Sequence, residues 1–159
     1  MGRCVLRGRA RARDLTDRGA AALEFALIVP ILLLLVFGII SYGYMLSFRQ
    51  AISQAAAEGA RAAAVAQRDA DQVPDAMAAM NDALDSYGVS CNNGTLTRDG
   101  GTVGTCAVDI ATCAGEPASI QCATVTIDYA YDENPLLPIP GVGLVLPDNL
   151  RYSAVARVS

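Results

Sequence analysis

FALIVPILLLLVFGIISYGYML, residues 25–46, is a run of 22 residues without a charged side chain. At about 1.5 Å rise per residue a helix of that length reaches roughly 33 Å, which matches a hydrocarbon core of about 30 Å. A helix that is apolar all round needs cover on every side. What remains of the 159 residues is too small and too rich in Ala to provide it. The run therefore reads as a membrane span. Pro30 removes one backbone donor in its first third, a defect that spanning helices tolerate with a local kink. Tyr42 and Tyr44, toward its far end, read as interfacial anchors.

Charge changes sign at this span. All 12 basic residues are Arg, and Arg3, Arg7, Arg9, Arg11, Arg13 and Arg18 fall in the first eighteen positions. Against Asp14 and Asp17 they leave a surplus of four positive charges, so the residues from Gly19 onward carry −8 of a total of −4. Translocating the Arg-rich end is unfavourable, which keeps it cytoplasmic and puts the C-terminal part outside. A cleavable secretory signal has an apolar core of about 7 to 15 residues and a small-x-small site, and the SYGYMLSFRQ stretch offers no such site. Cys4 lacks the apolar residues that precede a lipidated cysteine and reads as a reduced leader thiol. The acidic balance, with a sequence pI near 4.7, gives no basic field for holding nucleic acid.

Beyond the span, residues 47–67 stay Ala-rich and free of Pro, so the helix is expected to continue outward. Ala51, Ala55, Gly59 and Ala63 recur every fourth position beside Ala56, Ala60 and Ala64, a low ridge open to close approach. It suits either an assembly face or packing on the protein's own sheet. Asp69, Asp71 and Pro74 mark a break, after which residues 75–87 place Met77, Met80 and Leu84 on one face of a short helix closed by Gly88.

From Val89 the texture turns to Thr, Val, Gly and Asn, with turn signals at Asn92-Asn93-Gly94 and Asp99-Gly100-Gly101. Residues 103–110, 123–131 and 151–158 alternate as strands do. Between the last two, residues 134–147 hold Pro135, Pro138, Pro140 and Pro147, too much Pro for a regular element, yet they are rich in Leu, Ile and Val. That segment should lie on the sheet, the bilayer or a partner. Cys91, Cys106, Cys113 and Cys122 all fall in this outward region, and an even number there predicts disulfides in one of three pairings. Zinc is disfavoured by spacing and by the absence of His. Each crosslink would stabilise a small sheet by roughly 2 to 4 kcal/mol.

Catalytic parts are missing: the chain has no His, no Lys and no paired glutamates. Asp128, Asp132 and Glu133, with Asn134, could hold a hard cation, but they lack the pattern of a calcium loop and read first as a polar turn. No enzyme, metal or cofactor is expected.

The stretch RGAAALEFALIVPILLLLVFG, residues 18–38, carries the most information. A carboxylate at the edge of a hydrocarbon segment is costly when placed deeply unless something neutralises it. If the chain is intact, Glu24 is an interfacial acid near Arg18. If it is cut after Gly19, a new ammonium at Ala20 stands four residues from Glu24 in one helix, and the two could pair between neighbouring subunits in low dielectric.

This stretch resembles the TadE-like domain of minor pseudopilins of the tight-adherence (Flp-type) pilus system: Gly at the cleavage position, small residues after it, Glu at mature position five, then an apolar run with Pro. The resemblance implies an inner-membrane precursor whose leader is removed by a prepilin-type aspartic peptidase, with Gly19 and Ala20 flanking the scissile bond and Glu24 serving processing or assembly. It implies the lipid bilayer and other pilus-system subunits as partners, met through helix packing. The major Flp pilin is a very short chain with a Glu-Tyr pair, whereas Glu24 is followed by Phe25 and by a sizeable outer domain, as suits an assembly or minor component. TadF and the single-span TadE-like proteins found outside complete pilus loci remain alternative readings of the resemblance.

The expected architecture is α+β: a basic cytoplasmic leader (1–19), a transmembrane helix (20–46), and an extracytoplasmic domain (47–159) in which the helix extends outward, followed by a short second helix and a small antiparallel, pilin-like sheet stapled by disulfides. The expected role is structural, in pilus assembly, secretion and adhesion. The contrasting reading is a plain single-span anchor carrying a small disulfide-bonded binding domain.

Overall fold

The computed structural model describes residues 10–138 and 146–158, with side chains from residue 19 onward. The leader residues Arg3, Cys4, Arg7 and Arg9, the side chains of Arg11, Arg13 and Arg18, and residues 139–145 of the Pro-rich segment lie outside the described set. The chain divides into two compact units, Met1–Ile40 and Ser41–Ser159. Helix α1, Ala10–Val65, contributes to both.

In the first unit the described chain is helix alone. From Gly19 to Ile40 its residues are exposed, save the half-buried Val29 and Gly38. Leu23, Phe25, Leu27, Ile31 and Leu34 are each more than 60 % exposed, an apolar surface with no protein over it. By length and composition this is a helix able to cross a membrane.

The second unit is a helical layer on a five-stranded antiparallel sheet. After α1 come a 3-10 turn at Asp69–Asp71, helix α2 at Gln72–Leu84, and a second 3-10 turn at Asp85–Tyr87. The strands follow as β1 (Val89–Asn92), β2 (Thr95–Arg98), β3 (Gly101–Thr112), β4 (Gln121–Ala130) and β5 (Asn149–Val158), each paired with its neighbour in sequence. Helix α2 starts earlier than the position of Pro74 suggests. Pro74 sits in its first turn, where a backbone N–H has no intrahelical acceptor to lose.

Five strands form where alternation alone suggests three. The two extra ones are only four residues long, and two-residue hairpins make them. Asn93 and Gly94 both take positive φ, 48° and 83°, as do Asp99 and Gly100 at 51° and 81°. Positive φ at both central residues gives a turn whose twist matches its flanking strands, and Asn-Gly and Asp-Gly are the pairs that accept it. Between β2 and β3 the pairing steps from Leu96↔Gly104 to Thr97↔Thr102, leaving Val103 as a bulge residue turned into the core.

The core joins one sheet face to α1 and α2. Cys106, Val125, Ile127, Tyr129 and Leu150 pack against Phe48, Ile52, Ala55 and Ala56 of α1 and Met80 and Leu84 of α2. Phe48 is its aromatic centre, with its ring 4.8 Å from Tyr129 and 5.0 Å from Tyr87. Ala51, Ala55, Ala56, Gly59, Ala60 and Ala63 are all buried. The small-residue ridge is therefore internal packing and not an assembly face, because its low profile admits α2 and the sheet.

Burial in this unit begins inside the apolar run. Ser41 and Met45 are 1 % and 3 % exposed, and Tyr44 sets its ring edge-on to Tyr87 at 6.0 Å. The charge-free run thus has bare apolar surface up to Ile40, and from Ser41 on one face of it, at Ser41 and Met45, is buried.

Candidate functional site

Gly19 and Ala20 lie within α1, and Glu24 follows one turn after Ala20 on the same helix face. Nothing stands within 4 Å of the place a Cβ would take on Gly19, so no packing demands glycine there. What glycine does provide is weakness. It costs a helix about 1 kcal/mol relative to Ala, so the backbone unwinds more readily at this point. Glu24 is exposed among exposed apolar neighbours, Leu23 at 68 % and Phe25 at 69 %. Among residues with described side chains none forms an ion pair with it.

The four outward cysteines form two disulfides, Cys91–Cys106 and Cys113–Cys122. The first ties β1 to β3 across β2 and lies in the core, with Cys91 and Cys106 at 1 % and 3 % exposure. The second closes the loop between β3 and β4, beside a backbone hydrogen bond from Cys113 N–H to the Ile120 carbonyl at 3.0 Å. Neither pairing was legible from spacing, because both depend on which strands become neighbours.

Asp128, Asp132 and Glu133 do not converge. Asp128 lies on the outer sheet face 4.0 Å from Arg151, while Asp132 and Glu133 are exposed in the turn after β4. Asn134 braces that turn: its amide donates to the Ala130 carbonyl at 3.3 Å and its own carbonyl accepts from the Tyr129 hydroxyl at 2.9 Å. Asp132 N–H donates to the Asp148 carbonyl and ties the turn to the start of β5. In the Pro-rich segment, Leu136 is buried in the core and Leu146 packs against it.

Among the described residues, the buried hydroxyls Ser41 Oγ and Tyr131 OH meet no hydrogen-bond partner of good geometry. Burial pushes the Tyr131 phenol above its usual pKa of 10.0, and the backbone of Leu136 pulls it part of the way back.

Sequence reasoning passed over Asn81, whose side-chain amide binds the backbone of Cys91 twice, accepting from its N–H at 2.6 Å and donating to its carbonyl at 3.2 Å. Its only signal was an amide on a helix that precedes an Asn-Gly hairpin.

No curated protein and no solved structure matches the chain. The family model described as TadE-like protein matches residues 19–61. Those residues hold Gly19, Glu24, the apolar run and the start of the buried Ala ridge, and over them the chain is similar to TadE-like proteins.

Proposed function

We propose that the chain is a TadE-like minor pseudopilin or assembly component of a tight-adherence pilus or secretion system. It is made as an inner-membrane precursor and cut between Gly19 and Ala20 by a prepilin-type aspartic peptidase. The supporting observation is that the family match begins at residue 19, the position that the resemblance assigns to the scissile bond. The Arg-rich leader stays in the cytoplasm. Residues 20–40 cover about 31 Å of helix, enough for the bilayer core before packing in the domain begins at Ser41. The domain stands outside, where its cysteines oxidise.

Cutting at Gly19 requires the helix to open locally, since a peptide bond held in an intact helix is poorly presented to a protease. Glycine lowers that cost. The ammonium released at Ala20 then meets Glu24 of its own helix or of a neighbour, and in low dielectric the pair removes the penalty of an isolated carboxylate. Other pilus subunits meet the exposed apolar helix, because the Ala ridge is already covered.

N-terminal sequencing of the protein from cells with and without the peptidase tests this reading. The mature chain begins at Ala20 only when the peptidase is present. An intact Met1 end in cells that contain the peptidase rejects processing and favours the plain anchor.

A further inference from the structure

The two edges of the sheet are treated differently. At the β1 edge, Asn81 of α2 takes both the N–H and the carbonyl of Cys91, filling the place of a neighbouring strand. At the other edge β5 pairs with β4 along its whole length, from Asn149↔Ala130 to Val158↔Gln121, and among the described residues nothing pairs with its outer side. A long edge with free backbone groups is a template for another strand. No Pro, Gly or bulge interrupts this one.

Its side chains say what kind of strand. Arg151, Ser153, Val155 and Arg157 face outward and are exposed, Val155 at 63 %. Arg151 reaches Asp128 only at 4.0 Å with 70 % of its side chain exposed, and Arg157 has no ion pair among the described residues. On the opposite side of the strand Tyr152 is 45 % exposed, and with Leu46, Arg49, Gln50 and Ser53 of α1 it lines a shallow groove beside the edge.

We infer that the β5 edge docks an extended segment of another polypeptide, which adds as a sixth strand and carries two carboxylates six residues apart on its outer face. The backbone selects a strand, and the Arg pair selects its charge and register. At about 3.3 Å per residue the two guanidinium groups mark positions roughly 20 Å apart, and an added strand repeats that spacing opposite them. Its inward side chains fall toward the groove at Tyr152. A second copy of this chain is a poor occupant. Its β1 edge is taken by Asn81, and one of the two longest antiparallel registers of β5 against β5 sets Arg151 opposite Arg157. The surface belongs to the folded domain and stands whether or not the chain is cut at Gly19.

The test uses the full chain in phosphatidylcholine nanodiscs and a nine-residue probe, Thr-Glu-Val-Thr-Val-Thr-Val-Glu-Thr, with its carboxylates six apart. Controls carry Lys at both Glu positions, or Pro at the centre. The Glu probe is expected to bind about tenfold more tightly than either control and to slow amide exchange in β5 but not in β1. In the double variant Arg151→Glu, Arg157→Glu the preference inverts toward the Lys probe; in Arg151→Gln, Arg157→Gln it disappears. Equal binding of Glu and Lys probes to the unaltered protein, no binding of the Glu probe at about 1 mM, or protection appearing at β1 instead, overturns the inference.

Discussion

Asn81 and Cys91 form a two-pronged hydrogen bond between α2 and the outer edge of β1, with N–H to Oδ1 at 2.6 Å and Nδ2 to carbonyl at 3.2 Å. Cys91 is buried at 1 % exposure, so water cannot replace the amide easily. Replacing Asn81 with Leu strands one donor and one acceptor, each costing about 1 to 3 kcal/mol when left unpaired. A fall of the denaturant midpoint by that order is expected. The uncovered edge should also promote self-association, measurable by light scattering in detergent. An Asn81→Leu protein as stable as the original would show that the bidentate contact is incidental.

Gly59 sets how closely α1 and α2 approach. A Cβ there would stand 2.7 Å from Met80 Cγ and 3.2 Å from the Ala76 carbonyl oxygen. Gly59→Val should destabilise the domain by about 2 kcal/mol through overpacking. Adding Met80→Ala removes part of that overlap, so the double variant should lose less than the two single losses combined. Thermal melts of the four proteins measure the coupling.

The two disulfides should open in order. Cys91–Cys106 is sealed in the core, while Cys122 is half-exposed at the end of the β3–β4 hairpin. Stepwise reduction followed by alkylation and mass spectrometry should label Cys113 and Cys122 first. Replacing either pair with Ser should cost roughly 2 to 4 kcal/mol, and the core pair should cost more because two hydroxyls are then buried among apolar side chains.

Tyr131 makes the domain sensitive to alkali. Its buried phenol ionises above pH 10.0 in the folded state, whereas the unfolded phenol ionises near 10. The unfolded state therefore loses its proton first. The stability tied to this group is whole below pH 10 and falls as the pH rises toward the folded pKa. Tyr131→Phe removes a buried hydroxyl with no well-formed hydrogen bond among the described residues and should leave stability at pH 8 equal or higher while flattening the loss near pH 11. Chemical denaturation at the two pH values decides it.

Glu24→Gln separates folding from assembly. Glu24 is exposed and lies outside the unit that holds the core, so domain stability should change by less than about 0.5 kcal/mol. Under the proposed role, fimbriation or co-purification with pilus subunits should drop sharply. Unchanged assembly with the glutamine would remove Glu24 from the mechanism.

The parts that could be read along the chain are those set by neighbours in sequence. The 22-residue run without charge, the Arg surplus before it and Gly19 with Glu24 are local patterns, and both the apolar helix and the TadE-like match fall on them. Helix α2 was visible in Met77, Met80 and Leu84, although its start was displaced because Pro74 ends a helix only when it falls past the first turn. The hairpins at Asn93-Gly94 and Asp99-Gly100 were visible as turns, but strands of four residues are too short for alternation to register.

The sequence by itself determined that an apolar helix precedes an oxidised α+β domain, because hydrophobic length, charge asymmetry and cysteine number act without reference to distant residues. Only the tertiary structure decided that the Ala ridge faces inward, that Cys91 meets Cys106 and Cys113 meets Cys122, and that one sheet edge is guarded while the other is unpaired among the described residues. Those outcomes depend on which strands become neighbours and how closely α1 can approach α2. Contacts between residues far apart in the chain leave no periodic trace in it.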